Sequence, residues 1–187
     1  AIEVGGVDVR AVSQESLRAR IGYVPQKTVL FTGTVAENIA YGREDASEEE
    51  IMASAQTAQA DEFVSAMNEG FGASVSQGGT NMSGGQKQRL SISRALVRRP
   101  EIYLFDDSFS ALDFKTDAKL RAALKKETVN ATVLVVAQRV STVMDADRII
   151  VLEDGKIVGL GSHRELVRTC AVYREIIASQ LSEEELA

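Results

Sequence analysis

Of 187 residues only one is cysteine, one is histidine and two are proline. The lone thiol, Cys170, cannot close an internal disulfide, so a reducing compartment is expected and Cys170 is read as packing on the last helix. The lone imidazole, His163, falls in a helix-capping turn and is read as structural. No apolar run approaches the roughly 18 residues of a membrane span, and no signal peptide opens the chain. Any link to a membrane is therefore expected to come through something outside these residues. Basic excess is missing too: 21 Lys and Arg stand against 27 Asp and Glu, a formal net charge of -6. That balance argues against a nucleic-acid surface as the main function, because phosphate backbones select basic patches. Internal repeats and low-complexity segments are also absent.

What remains is an ordinary globular composition, 44% hydrophobic and 26% charged, on a chain long enough for one sizeable domain or a core with a subdomain. Ile2, Val4 and Val7 around Gly5-Gly6 predict a short strand pair. Ser13 caps a helix to Arg20, and Ile21 to Val24 is a strand stopped by Pro25-Gln26. From Thr34 the hydrophobic period changes from two to about 3.6. Capping boxes at Thr34/Glu37, Ser47/Glu50 and Ser83/Gln86 open helices, and Asp61 to Asn68 forms another. Residues 34 to 98 carry almost no strand pattern and read as a helical insertion.

Strands then return. Ile102 to Phe105 is a wholly apolar run, expected as a central parallel strand covered on both faces. Asp113 caps a helix from Phe114 to Lys126, and Thr132 to Val136 is expected as a second buried strand. Arg148 to Leu152 and Lys156 to Leu160 flank the hairpin turn Glu153-Asp154-Gly155. Ser162 and Glu165 cap a last helix reaching about Ser179, and the acidic run Glu183-Glu184-Glu185 is expected to fray.

The stretch from Met82 to Asp113 concentrates the chemistry. Ser83-Gly84-Gly85-Gln86 opens a helix whose backbone N–H groups and dipole favour anions, and the glycines allow close approach. The helix leads to Pro100 and then to a strand ending in two carboxylates, Asp106 and Asp107. A phosphate-facing helix start next to a metal-binding acid points to nucleotide chemistry.

Those residues resemble the nucleotide-binding domain of an ATP-binding-cassette transporter, nearly end to end. Ser83-Gly84-Gly85-Gln86-Lys87-Gln88-Arg89 resembles the family signature, with Met82 where leucine is usual. Ile102 to Asp106 resembles the Walker B strand, Ser110-Ala111-Leu112-Asp113 the D-loop, and Gln26 the Q-loop glutamine. Phe31 to Ile39 resembles the exporter branch. The resemblance implies an α/β fold: a P-loop NTPase (RecA-like) core with a central, mainly parallel sheet, interrupted by an α-helical subdomain carrying the signature. The segments would be core at 1–31, helical subdomain at 32–98 and core at 99–187.

It also implies two such domains sandwiching ATP and Mg²⁺, on the cytoplasmic face of a membrane and tethered through transmembrane domains. Asp106 would hold Mg²⁺, with Gln26 contacting metal and attacking water. Ser83, Gly84, Gly85 and Gln86, with Asp113 of the D-loop, would serve nucleotide binding, the signature gripping ATP carried by the partner. Asp107 and Gln138 would be catalytic positions together with Gln26.

Departures from the family pattern sharpen this. Glutamate normally follows the Walker B aspartate, and here Asp107 stands there. Losing one methylene withdraws the carboxylate by roughly an ångström, a misplacement worth about a hundredfold in rate. Gln138 occupies the place of the switch histidine and cannot carry a titratable proton. Where exporters often have Glu-x-Gly before the signature, this chain has Ser76-Gln77-Gly78-Gly79. No Gly-x-x-x-x-Gly-Lys-Ser/Thr motif occurs, so the sequence reads as lacking the N-terminal part of such a domain and by itself is expected to bind ATP poorly.

The leading expectation is one half of a heterodimeric exporter: its own site weakened, its signature completing the partner's. A soluble cassette ATPase and a catalytically inactive regulatory module are the alternatives. A chromosome-type member is excluded, because Gln26 to Ser83 spans only 83 − 26 = 57 positions without heptads.

Overall fold

The computed structural model describes residues 1–180, so the acidic run Glu183-Glu184-Glu185 lies outside the described residues. By packing, the chain divides into two units, residues 1–136 and the residues from Ala137 on.

The first unit begins with a two-residue hairpin, β1 (Glu3–Val4) against β2 (Val7–Asp8), turned through Gly5 and Gly6 at positive φ. Helix α1 (Gln14–Ala19) is capped by Ser13, whose hydroxyl accepts from the Ser16 N–H. Strand β3 (Ile21–Val24) follows. Next come β4 (Gly33–Thr34), α2 (Val35–Ala40), α3 (Glu48–Thr57) and α4 (Asp61–Ser65), then β5 (Ser74–Val75) and α5 (Gly84–Val97). The expected capping boxes at α2, α3 and α5 all form, each N-cap side chain and each third-residue side chain satisfying the other's backbone N–H. Strand β6 (Ile102–Asp106), α6 (Phe114–Glu127) and β7 (Thr132–Val136) complete the unit.

The helical stretch carries one short ladder, β4 antiparallel to β5 with two residues each, as a stretch of almost no strand pattern allows. Two expectations fail here. Helix α4 stops at Ser65 instead of Asn68, because the chain tightens into three-residue turns, with Met67 N–H donating to Val64 O and Gly70 N–H to Met67 O.

The second failure concerns burial. The sheet is parallel in the order β3-β6-β7, with β6 central, Val24 beside Phe105 and Phe105 beside Val135. One face is well covered and the other only in part. Val24, Tyr103 and Phe105 pack with Ile92 and Leu96 of α5 and Leu120 and Leu124 of α6. On the opposite face Tyr23, Leu134 and Val136 are 51%, 48% and 56% exposed. Among the described residues β7 is thus an edge strand with exposed side chains, not a buried strand, and β6 is buried on one face and half-buried, through Leu104, on the other. An all-apolar run marks a strand whose two faces can both be covered, which is not the same as a strand whose faces both are.

Helix α5 is the hub of the unit. Leu90 and Val97 join a cluster with Val35, Ile39, Ile51, Val64 and Val75, while Ile92, Ala95 and Leu96 face the sheet. Met82, just ahead of the helix, is buried in the first of these clusters.

The second unit holds α7 (Val140–Val143), the antiparallel hairpin of β8 (Ile149–Glu153) and β9 (Lys156–Gly161), and helices α8 (His163–Thr169) and α9 (Ala171–Gln180). Asp154 and Gly155 both take positive φ, as a tight two-residue hairpin requires. The expected single last helix is two. Cys170 adopts an extended conformation between them and buries its side chain with Leu166, Tyr173 and Val151. A Cβ at Gly159 would meet the Cys170 sulfur at 2.9 Å, so glycine there lets the hairpin close on the helix break. His163 Nδ1 lies 2.9 Å from the Tyr173 hydroxyl, joining the start of α8 to α9.

Candidate functional site

The carboxylates sit at the C-terminal end of β6, the edge of a parallel sheet where ligands bind in open α/β folds. Asp106 lies on the open face of the sheet. Register explains its neighbour: Tyr23 is opposite Leu104, so its ring reaches diagonally to Asp106, and its hydroxyl donates to Asp106 Oδ2 at 3.2 Å. Desolvation first, then the Asp106 carboxylate, pushes the Tyr23 phenol above its ordinary value, which keeps it a donor.

Asp107 leaves the strand with φ +46, a left-handed conformation that aspartate tolerates better than most residues. Its N–H still pairs with Val136 O at 2.8 Å. Gln26, just beyond the end of β3, donates through Nε2 to Asp107 Oδ2 at 3.1 Å. The turn is pinned by Ser108, fully buried, whose hydroxyl donates to Val24 O at 3.0 Å. The structure thus brings Gln26, Asp106 and Asp107 together at one sheet edge. Sequence gave no signal for Tyr23 or Ser108, since both act across more than 80 residues.

The second group lies at the start of α5. Ser83 Oγ accepts from the Gln86 N–H at 3.2 Å, and Gln86 Oε1 accepts from the Ser83 N–H at 2.8 Å. That box occupies two donors and leaves Gly84 and Gly85 at helix positions whose N–H groups have no intrahelical acceptor. Ser83 and Gly84 are exposed. A Cβ at Gly85 would meet Ala111 O at 3.1 Å, so the glycine seats the helix start on the Ser110–Asp113 turn. Asp113 caps α6: the Thr116 backbone N–H, donating at 3.0 Å, holds its carboxyl below the usual range. The structure therefore shows Asp113 engaged locally.

Helix α5 joins the two groups through two of its faces. Gln88, buried on the stripe shared with Ile92 and Ala95, accepts from the Thr28 hydroxyl at 2.6 Å. Arg94 donates to Asn38 O at 2.8 Å, Asn38 Oδ1 at 3.0 Å and Val29 O at 3.2 Å. Both side chains tie the segment after Gln26 to the helix that presents Ser83. Sequence reasoning missed their roles, although a glutamine on an apolar helical stripe is itself a signal. The Ser76–Gly79 loop is held by Gly78 N–H to Leu30 O, with Gly78 and Gly79 both at φ +66. Side chains with a Cβ are disfavoured there.

Gln138 belongs to the second unit, in the segment leading into α7, and is exposed. Its carbonyl oxygen accepts from Gln180 Nε2.

Comparison with known proteins gives a consistent answer. A family model described as ABC transporter matches residues 1–110. An uncharacterised ABC transporter ATP-binding protein of Mycobacterium tuberculosis is 49% identical over 183 residues, 96% of this chain and 31% of that protein. ATP-binding cassette sub-family B member 6 of Homo sapiens is 43% identical over 184 residues, 98% of this chain and 22% of that protein. Among solved structures, a bacterial Atm1-family ABC exporter with ATP bound superposes with a TM-score of 0.92 at 41% identity, covering 95% of this chain and 31% of that one. The α/β fold with its parallel sheet and flanking helices is the fold of that structure. The chain spans under a third of the length of each of these proteins.

Proposed function

This chain belongs to the ABC transporter family, and from that premise we propose that it is the ATP-binding part of an exporter, with a weakened hydrolytic site of its own and an intact signature that completes a partner's site. The partner would be a second nucleotide-binding domain, of a different subunit, and transmembrane domains of the same transporter would anchor both at the cytoplasmic face.

The observation that carries the reading is that the changes are one-sided. Ser83 to Gln86 retain a fully formed capping box on an exposed helix start. Asp107, by contrast, is shorter than the family's glutamate and already accepts from Gln26. Gln138 stands in place of the switch histidine.

The donor at the sheet edge fits Mg²⁺ that would accompany ATP. A single carboxylate at the C-terminal end of a parallel strand suits a hard cation otherwise held by water and phosphate. Such an ion, when bound, neutralises phosphoryl charge. Asp106 would hold it, its carboxylate oriented by the Tyr23 hydroxyl. Gln26 would fix the Asp107 carboxylate and, with it, the attacking water. Ser83 and the N–H groups of Gly84 and Gly85 would bind the terminal phosphate of the partner's nucleotide.

Retention of nucleotide tests the reading. In the complete transporter, labelled ATP followed by rapid removal of free nucleotide is expected to leave ATP at this chain's site after the partner's has become ADP. Equal conversion at both sites would sink the proposal, and no nucleotide at this site would sink it more thoroughly. The signature makes a separate prediction. Ser83→Ala should cost about 1 kcal/mol of α5 stability through the lost cap and lower turnover at the partner's site by about tenfold through a lost charge-assisted hydrogen bond. Site-resolved turnover measures this, and an unchanged partner rate would place the signature elsewhere.

A further inference from the structure

The segment carrying Gln138 is held from an unexpected direction. Gln180, on the last turn of α9, donates through Nε2 to Gln138 O at 2.5 Å and accepts through Oε1 from the Val140 N–H at 2.8 Å. One side-chain amide thus closes on both sides of Arg139, whose backbone is extended at φ −92 and ψ 126, as an opposing strand residue would.

The need for such a clamp follows from the local sequence. Val140 is the first residue of α7, so its N–H has no intrahelical acceptor. The N-cap residue is Arg139, and an arginine side chain has no acceptor with which to cap. Gln180 supplies the missing one from forty residues away.

Its placement is not accidental to the packing. Tyr173, Ile176, Ile177 and Gln180 fall at i, i+3, i+4 and i+7, one face of a helix. The first three pack in the cluster that also buries Val140, Ile149 and Val151. Gln180 is the polar end of that apolar stripe. The other end of α9 is fixed by the contact between Tyr173 and His163. The Gln138 backbone therefore takes its position from a helix anchored at both ends.

We propose that Gln180 is a positioning residue for Gln138: through its two hydrogen bonds α9 sets the backbone from which Gln138 is presented to nucleotide, and movement of α9 is transmitted to it. The role rests on the reading of Gln138 as the switch position.

The test uses the complete transporter with Gln180→Ala and Gln180→Leu. The leucine variant keeps the apolar stripe and removes only the clamp, so it separates loss of the clamp from loss of the fold. Ser179→Ala is the same-helix control, since the Ser179 hydroxyl donates to Ile176 O within α9. Two readouts are taken: exchange of the Val140 amide without nucleotide, and the lifetime of ATP retained at this chain's site.

Both Gln180 variants are expected to speed Val140 exchange by about tenfold, as loss of one hydrogen bond would, and to shorten ATP retention severalfold, with Ser179→Ala changing neither. Unchanged exchange in the leucine variant would show that there is no clamp, whatever the chain's function. Faster exchange with unchanged retention would reduce Gln180 to a structural contact and overturn the positioning role. Absence of retained nucleotide in the unsubstituted protein would fall on the functional reading, and the role given to Gln138 would fall with it.

Discussion

Asp107→Glu in the complete transporter is expected to raise turnover at this chain's own site by about a hundredfold, with Gln138→His adding to it. The added methylene extends the carboxylate by roughly the ångström that separates a productive from an unproductive geometry. Two effects oppose the gain. Asp107 sits at φ +46, where glutamate is less at ease than aspartate, and extending the carboxylate loosens the 3.1 Å bond from Gln26. A left-handed non-glycine residue costs of order 1 kcal/mol, already borne in large part by aspartate. The increment lost on substitution is therefore smaller than the roughly 2.7 kcal/mol that a hundredfold rate change represents. The geometric gain wins. Turnover is to be measured with the partner's site disabled, so that only this site contributes. A rate within threefold of the unsubstituted protein would mean that carboxylate reach does not limit the site. A site already turning over at the partner's rate before substitution would remove the asymmetry altogether, and no turnover even after both substitutions would favour a regulatory nucleotide-binding module.

What sequence made legible and what it did not divides by range. The capping boxes at Thr34/Glu37, Ser47/Glu50, Ser83/Gln86 and Ser162/Glu165 were readable because each is complete within four residues. The Asp154-Gly155 turn was readable for the same reason. The residues at the sheet edge were readable one by one, as Gln26 after a proline-stopped strand and Asp106-Asp107 after an apolar run. Their mutual contacts were not: Gln26 to Asp107, Tyr23 to Asp106 and Ser108 to Val24 each depend on β3 lying parallel beside β6, a pairing made across some 80 residues. Coverage of the sheet was misjudged because composition reports what a face can bury, and β7 exposes Leu134 and Val136 all the same. The break at Cys170 was invisible since alanine, valine and arginine continue a helical pattern on both sides of it. Tertiary packing against Gly159 decided it.

Arg94→Leu is expected to destabilise the protein by about 2 kcal/mol, within the range for leaving a buried acceptor without its donor. Burial pulls the guanidinium below its ordinary value, and that desolvation argues for relief on removal. Its partners argue the other way and are more numerous. Arg94 lies 5.0 Å from the Phe31 ring centre and 5.7 Å from that of Tyr41. Leucine recovers packing there and none of the polar contacts. Asn38 is 2% exposed; its side-chain nitrogen donates to Phe31 O and Thr34 O, and its side-chain oxygen accepts from the Phe31 N–H. Without Arg94 the part-buried carbonyl oxygen of Asn38 loses its guanidinium donor, at a cost of about 1–3 kcal/mol, and Asn38 Oδ1 loses another, while Val29 O is exposed and can turn to water. Those losses exceed the relief. The same interface can be opened from its other side: a Cβ at Gly42 would land inside the van der Waals shell of the Arg94 carbonyl oxygen, a backbone atom that cannot swing away, so Gly42→Ala must part α2 from α5. Both substitutions should lower the thermal midpoint of this domain by about 5–10 °C and, because Gln88 and Arg94 tie the segment after Gln26 to α5, should reduce turnover at this chain's site and at the partner's together. A midpoint within about 2 °C of the unsubstituted protein, a shift expected from well under 1 kcal/mol, would show that the clasp between Arg94 and Asn38 is not what holds α5 to the strand edge.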